Sequence, residues 1–294
     1  MSQSFAEIRR RTFSSIMFGL CAGGAALIIS ILLLVIGYLL WIGVSSLSWE
    51  FLTAVPTGDV ANPGGMRHAI DGTIILVALA SAVGVPIGVL AGIYLSEYPT
   101  EYAVTGPLRF IADVLTGVPS IVVGILGYEL VVVPVSRWTE SSISYSGYAG
   151  AAALAFIMIP IVARTTEEML RLVPKNYREG SLALGATRAQ TIFRVVLPGA
   201  FGGVATGIML AMGRIAGETA PLLFTALGSR LLTHNPAEPF PSLTLQIYTY
   251  ATGPYPEQKR LAWAGILVLL AMLFVVNLSI RLIAARHART RVGA

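Results

Sequence analysis

Six long apolar stretches, separated by short polar segments, constrain this chain more than any other feature. They run at roughly 17–44, 70–95, 108–134, 148–166, 198–226 and 261–283. A helix needs about 20 such residues to cross the hydrocarbon core of a bilayer. Backbone amides in hydrocarbon must find partners within their own segment, which selects helices. Only 12% of the 294 residues are charged and the mean hydropathy is +0.75, against about 25% charge in a soluble domain. The expectation is an all-α membrane protein with six transmembrane helices. The first stretch is long and lacks a small-residue cleavage site, so it reads as a retained helix. The single cysteine, Cys21, excludes an internal disulfide; it lies in that stretch and reads as a small packing residue.

Basic residues set the orientation of such a bundle. One side collects Arg9, Arg10 and Arg11, then Arg109, then Arg164, Arg171, Lys175, Arg178, Arg188 and Arg194, and finally Arg281, Arg286, Arg289 and Arg291. The other side collects Arg67, Arg137, Arg230, Lys259 and Arg260, and Arg214 falls inside the fifth stretch. This bias places both termini and the segment 167–197 in the cytoplasm. The loop after the second stretch carries Glu97 and Glu101 and contributes little. The segments 45–69 and 227–260 are rich in Pro, Gly, Thr and Ser and read as turns, not as a folded domain.

The polar segment 167–197 has its own grammar. Pro174 suits a helix start, residues 175–184 read as a short helix, and Gly185 is placed to end it in the left-handed region. Thr187 and Gln190 have capping-box spacing and can open a second helix. Pro198 can start the fifth span. Tyr177, Ser181 and Leu184 share a face by i, i+4, i+7 spacing. Such a knob suits a partner's groove or, equally, a lipid interface.

A specific pattern runs through this segment: Glu179-Gly180-Ser181, three residues, Gly185, nine residues, then Val195-x-Leu197-Pro198. It resembles the EAA loop of ABC-importer permeases, whose consensus is Glu-Ala-Ala, three residues, Gly, nine residues, Ile-x-Leu-Pro. The chain departs at Gly180, Ser181 and Val195, by small or conservative changes. The resemblance covers roughly residues 70–283. It implies a type I ABC-importer (MetI-like) permease fold, with Tyr177, Glu179, Gly180, Ser181, Leu184 and Gly185 coupling the chain to an ATPase. Gly217-Glu218-Thr219-Ala220-Pro221-Leu222, Leu182 to Ala186, Val196-Leu197-Pro198 and Gly117 to Val122 narrow the resemblance to phosphate-importer permeases, and the first of these with the following Leu223-Phe224-Thr225 resembles the PstA type. The partners implied are a PstC-type permease, a PstB-type ATPase dimer and a PstS-type phosphate-binding protein. No cofactor would belong to this chain; ATP and Mg would be used by the ATPase. The organisation implied is a cytoplasmic tail 1–16, a first helix with its outer loop 17–66, a permease core 67–283 and a cytoplasmic tail 284–294.

Charges inside the spans mark further positions. Arg214 and Glu218 are four residues apart and share a helix face. An ionisable group near the bilayer centre costs about 2.5–3.5 kcal/mol on insertion scales and usually faces a bundle interior or a wet cavity. They either neutralise each other in packing or line a pathway, where the guanidinium fork of Arg214 suits a phosphate oxyanion. The pathway reading comprises Arg214, Glu218 and Thr219. Pro221 removes the donor to the Gly217 carbonyl, so Gly217 and Pro221 bracket a hinge; the alternative is an ordinary proline kink. Gly199, Gly203 and Gly207 form a small-residue row for internal packing or for the partner. Pro119 is expected to kink the third span, and Asp113 to pair with Arg109. Glu129 has no assigned role. Arg164 with Glu167 or Glu168 reads as an interfacial ion-pair cluster.

Other classes fit poorly. No Gly-x-x-x-x-Gly-Lys loop contains Lys175 or Lys259, so the chain is not itself an ATPase. His68, His234 and His287 form no His-Glu-x-x-His site, and no Gly-x-Ser-x-Gly elbow exists. The competing readings are a permease for another oxyanion, such as molybdate or sulfate, and, from a different class, a membrane channel or signalling protein.

Overall fold

The computed structural model describes residues 5–60, 62–98, 104–138 and 144–292. Glu101 lies outside them, and the side chains of Arg286, Arg289 and Arg291 are likewise outside the described set. Thirteen α-helices form among the described residues. Five are long and apolar enough to cross a membrane, and a sixth span is a bent pair, Arg188–Gly199 with Phe201–Ala216, meeting at 72°.

The first span, α1 (Phe5–Ser46), packs only near its C-terminal end, where Tyr38 meets Trp263 edge-on at 5.5 Å. Cys21 is exposed on it, because no other helix among the described residues reaches that part of α1; it does not pack. A five-residue helix, α2 (Trp49–Thr53), is capped by the Ser48 hydroxyl and buries Phe51. The second span, α3 (Arg67–Glu97), carries Gly84, Gly88 and Gly92 on one face. A Cβ at Gly88 would lie 2.7 Å from Val162 Cβ, and one at Gly92 would lie 2.6 Å from Thr166 Cβ. These glycines let α3 lie directly against the fourth span, α7 (Gly147–Arg171), the most enclosed helix of the bundle.

The third span is not one kinked helix. It breaks at Val118–Pro119 into α4 (Thr105–Gly117) and α5 (Ser120–Gly127). A widened turn over Tyr128–Val132 then leads into α6 (Val133–Trp138). The same device recurs before the fifth span. After α8 (Lys175–Ala183) and α9 (Arg188–Thr191), a widened turn over Ile192–Val196 enters α10 (Leu197–Ala216). Val133 N–H reaches Tyr128 O, and Leu197 N–H reaches Ile192 O. In both places the next residue is a proline, Pro134 or Pro198. A proline cannot donate to its own turn and crowds the carbonyl four residues back, and a widened turn relieves that crowding.

The fifth span is broken as well. Its helix ends at Ala216 and restarts as α11 (Ala220–Thr225), with Pro221 in the first turn of the new helix. Pro221 therefore does not kink a continuous helix; it opens one, where its missing N–H is harmless. The segment 227–260, read as turns, contains α12 (Leu243–Thr252), capped by Ser242 and burying Leu243, Leu245 and Tyr250. The apolar residues among its turn-formers decide this. The last helix, α13 (Pro256–Val292), continues through the expected C-terminal tail.

Three apolar clusters hold the bundle. The central one joins Leu76, Leu154, Met158, Ile215, Leu222 and Phe240. A second, around Phe51, Met66, Leu243, Tyr250 and Ala262, closes one end. The third, around Ile93, Leu170, Ile192, Val196 and Val204, closes the end that carries α8 and α9. The row Gly199, Gly203, Gly207 belongs to internal packing. Side chains at Gly203 and Gly207 would collide with Met169 and Thr165 of α7.

Candidate functional site

The loop between the fourth and fifth spans is built as its sequence requires. Pro174 is the residue preceding α8, in an extended conformation, not its first helical residue. At the other end Gly185 has φ +85°. Gly185 N–H bonds Leu182 O at 2.9 Å and Ala186 N–H bonds Ser181 O at 3.2 Å. This is a complete Schellman closure, which satisfies carbonyls that the helix end leaves open. Two residues later the Thr187 hydroxyl accepts from Gln190 N–H, and the Gln190 side chain accepts from Thr187 N–H at 2.9 Å. The two caps fix a tight reversal between α8 and α9. Tyr177, Glu179, Gly180 and Leu184 are all exposed there, Leu184 at 91%. Ser181 does not join them. It is half-buried, and its hydroxyl meets Thr191 Oγ1 at 2.9 Å. It ties the two short helices together, because α9 folds back over that side of α8.

The underside of this loop is ionic. Arg178 Nε and Nη2 donate to the two Glu97 carboxylate oxygens at 3.0 and 2.6 Å. The same guanidinium donates to Val173 O at 2.7 Å and Leu170 O at 2.9 Å. Arg188 donates to Glu97 O and sits over the Tyr98 ring, 4.8 Å from its centroid. Nearby, Glu167 is 1% exposed and accepts three arginines: Arg109 at 2.6 Å, Arg171 at 2.6 Å and Arg164 at 3.4 Å. Arg109 thus pairs with Glu167, not with Asp113, and also donates to Leu95 O at 2.7 Å. Asp113 instead faces Arg164 at 3.6 Å. The i, i+4 spacing was outcompeted by a buried carboxylate, whose lack of water makes each added cation worth more. Sequence reading used Arg178 only to set the orientation and saw Glu167 only as interfacial. The one signal was four residues of opposite charge, Glu97, Arg109, Arg164 and Glu167, at the ends of three apolar stretches.

Deeper in the bundle, Arg214 Nη2 lies 3.7 Å from Glu218 Oε1, with the arginine 49% and the glutamate 14% exposed. Arg214 sits in the last turn of α10, and Glu218 lies beyond it in the break Gly217–Thr219. Glu218 is anchored through its backbone: its N–H bonds Ile215 O at 3.2 Å, and its carbonyl accepts from the Thr244 hydroxyl of α12 at 2.9 Å. Thr219 O accepts from Leu223 N–H at 3.1 Å. Gly217 has open space where a side chain would start, apart from its own helix end.

Arg214 also lines a crevice of about 10 Å³ with Thr116, Val118 and Ser120 at the break of the third span, and with Phe156 and Ile157 of α7. The two interrupted spans lie side by side. A Cβ on Gly124 of α5 would come within 2.9 Å of Pro221 Cα. Freed backbone at membrane depth is tolerated where protein or water meets it, and here two such breaks converge on one arginine. Glu129 is exposed.

Residues 84–289 match the family described as the binding-protein-dependent transport system inner membrane component. Among curated proteins, the chain is 38% identical over 270 residues to the phosphate transport system permease protein PstA of Yersinia pestis, covering 89% of each chain. It is 39% identical over 282 residues to the PstA protein of Haemophilus influenzae, covering 93% of this chain and 94% of that one. Among solved structures, a chain of a bacterial alginate ABC transporter aligns with a TM-score of 0.67 and 13% identity, over 97% of this chain and 98% of its own. A chain of the MetNI methionine ABC transporter in an inward-facing form aligns at 0.57 and 18% identity, over 76% and 97%. At those identities the structures speak for the fold alone.

Proposed function

We propose that this chain, a member of the binding-protein-dependent transport family of inner membrane components, is the permease subunit of an ATP-driven importer for inorganic phosphate. It forms half of the translocation path and does no covalent chemistry. One observation carries the reading. A doubly capped loop presents Tyr177, Glu179 and Leu184 outward at the helix-turn-helix of a bundle whose relatives, near 39% identity over most of the chain, are named for phosphate transport. The loop faces the cytoplasm, as do both termini, because basic residues concentrate there.

In this reading the chain pairs with a PstC-type permease. A PstB-type ATPase dimer binds the 174–190 loop and uses ATP and Mg, and a PstS-type protein delivers phosphate at the outer face. ATP binding favours the motor conformation that pulls the loop, and the bundle follows, since only a difference in affinity between two states can move the equilibrium. Arg214 offers its fork to the phosphate at the convergence of the two breaks. Glu218 and the Thr219 backbone limit how tightly the anion is held. The break between Gly217 and Pro221 is the hinge.

The test is radiolabelled phosphate uptake into proteoliposomes holding all four components, with sulfate and molybdate as competitors. ATP-dependent uptake that resists both competitors is the expected result. Transport of a competitor in place of phosphate keeps the importer and overturns the substrate; no ATP-dependent uptake at all favours a channel or signalling protein.

A further inference from the structure

We propose that the Arg178–Glu97 ion pair is the strut that carries the ATPase's pull from the coupling loop to the second span; the proposal rests on the importer reading above. The short helix α8 buries no side chain. Besides its chain connections, α8 touches α9 and the widened turn Ile192–Val196, and this pair ties it to the end of α3. The Arg178 guanidinium is 20% exposed and the Glu97 carboxylate 8%. The geometry is a two-pronged fork, at 2.6 and 3.0 Å, which resists rotation as well as separation.

Arg178 does more than pair. Its bonds to Leu170 O and Val173 O satisfy one carbonyl in the last turn of α7 and one just beyond the helix end. One side chain therefore joins three bodies: the loop helix, the end of α7 and the end of α3. Arg188, from the second loop helix, grips the same end of α3 through Glu97 O and Tyr98. From there the coupling is steric. Gly84, Gly88 and Gly92 bring α3 and α7 into contact along the bundle, so a displacement applied at Glu97 moves the second and fourth spans together. The Ser96 hydroxyl donates to Glu97 Oε1 at 3.2 Å, completing the satisfaction of the carboxylate. In this proposal Arg178 and Glu97 are positioning residues that act through the helices they join.

Glu97→Gln keeps the carbonyl bonds of Arg178 and removes only the charge that holds the fork. In the full complex, phosphate uptake per ATP hydrolysed should fall by about 10-fold or more. ATP hydrolysis itself and co-purification of the ATPase should stay near wild type. A purely structural role would lower all three together. Uptake per ATP at the wild-type level in Glu97→Gln, or a parallel fall of uptake, hydrolysis and assembly, overturns the strut. Should that variant fold poorly, Glu97→Cys with Arg178→Cys on a Cys21→Ser background provides a second reading. Joining the two thiols with a short bis-maleimide should restore uptake that the unjoined pair lacks, and no restoration overturns the proposal. A wild-type complex that transports while Glu97→Gln transports equally well leaves the importer standing without its strut. A wild-type complex with no ATP-dependent uptake of any oxyanion overturns both.

Discussion

Single residues carry the chemistry, and their surroundings decide what each one does. Arg214 and Glu218 were legible as a pair, because charge inside an apolar stretch is rare and functional. That the pair spans a helix end, with Glu218 held by Thr244, was not legible, since Thr244 lies 26 residues away. Arg214→Leu is expected to abolish phosphate uptake while the complex still assembles. Normal uptake by that variant would remove the arginine from the pathway, and lost assembly would make it a packing residue. Glu167 shows the opposite case. A carboxylate that is 1% exposed among three arginines leaves unpaired charge behind when it is removed. Glu167→Ala should therefore destabilise the subunit by about 3–5 kcal/mol, read as a lower melting temperature in detergent. Sequence spacing pointed to Arg109 with Asp113, four residues apart. It could not show that a buried acid from another helix would compete and win.

At the scale of elements, local signals were reliable wherever the determinants are local. The Schellman closure at Gly185 and the capping box at Thr187 formed as spacing required. Gly185→Val should strain the left-handed turn by roughly 1–2 kcal/mol and uncouple ATP hydrolysis from uptake; full coupling in that variant would release Gly185 from its role. Glu179→Lys should uncouple for a different reason, because it would reverse the charge on the exposed face proposed to meet the ATPase. Helix contacts were legible only as small-residue rows, without partners. Gly88→Leu should cost about 1–3 kcal/mol by overpacking against Val162. Gly213→Leu, which points into open space, should leave the melting temperature of the isolated subunit unchanged. Equal effects at both positions would mean that α3 and α7 are not held by close approach. Prolines were the most ambiguous signal. Pro119 and Pro221 mark complete breaks, while Pro134 and Pro198 are absorbed by widened turns. Which outcome occurs depends on whether neighbouring groups satisfy the freed carbonyls.

For the whole molecule, orientation is the prediction that remains to be measured. On a Cys21→Ser background, a membrane-impermeant maleimide added outside spheroplasts should label Leu231→Cys but not Leu184→Cys. The reverse pattern would turn the bundle over and remove the coupling role of the loop. The sequence by itself determined that the chain is a membrane bundle of six spans, that one capped loop stands out from it, and that one arginine lies within it. Each of these follows from contiguous residues: apolar length, turn chemistry, a charge where charge is expensive. Only the tertiary structure decided that the third and fifth spans are interrupted side by side and that Glu167 gathers three arginines. It alone joined Arg178 to Glu97, 81 residues apart. Those outcomes depend on which helices touch, and a stripe of small or apolar residues states that a neighbour will come close without stating which one.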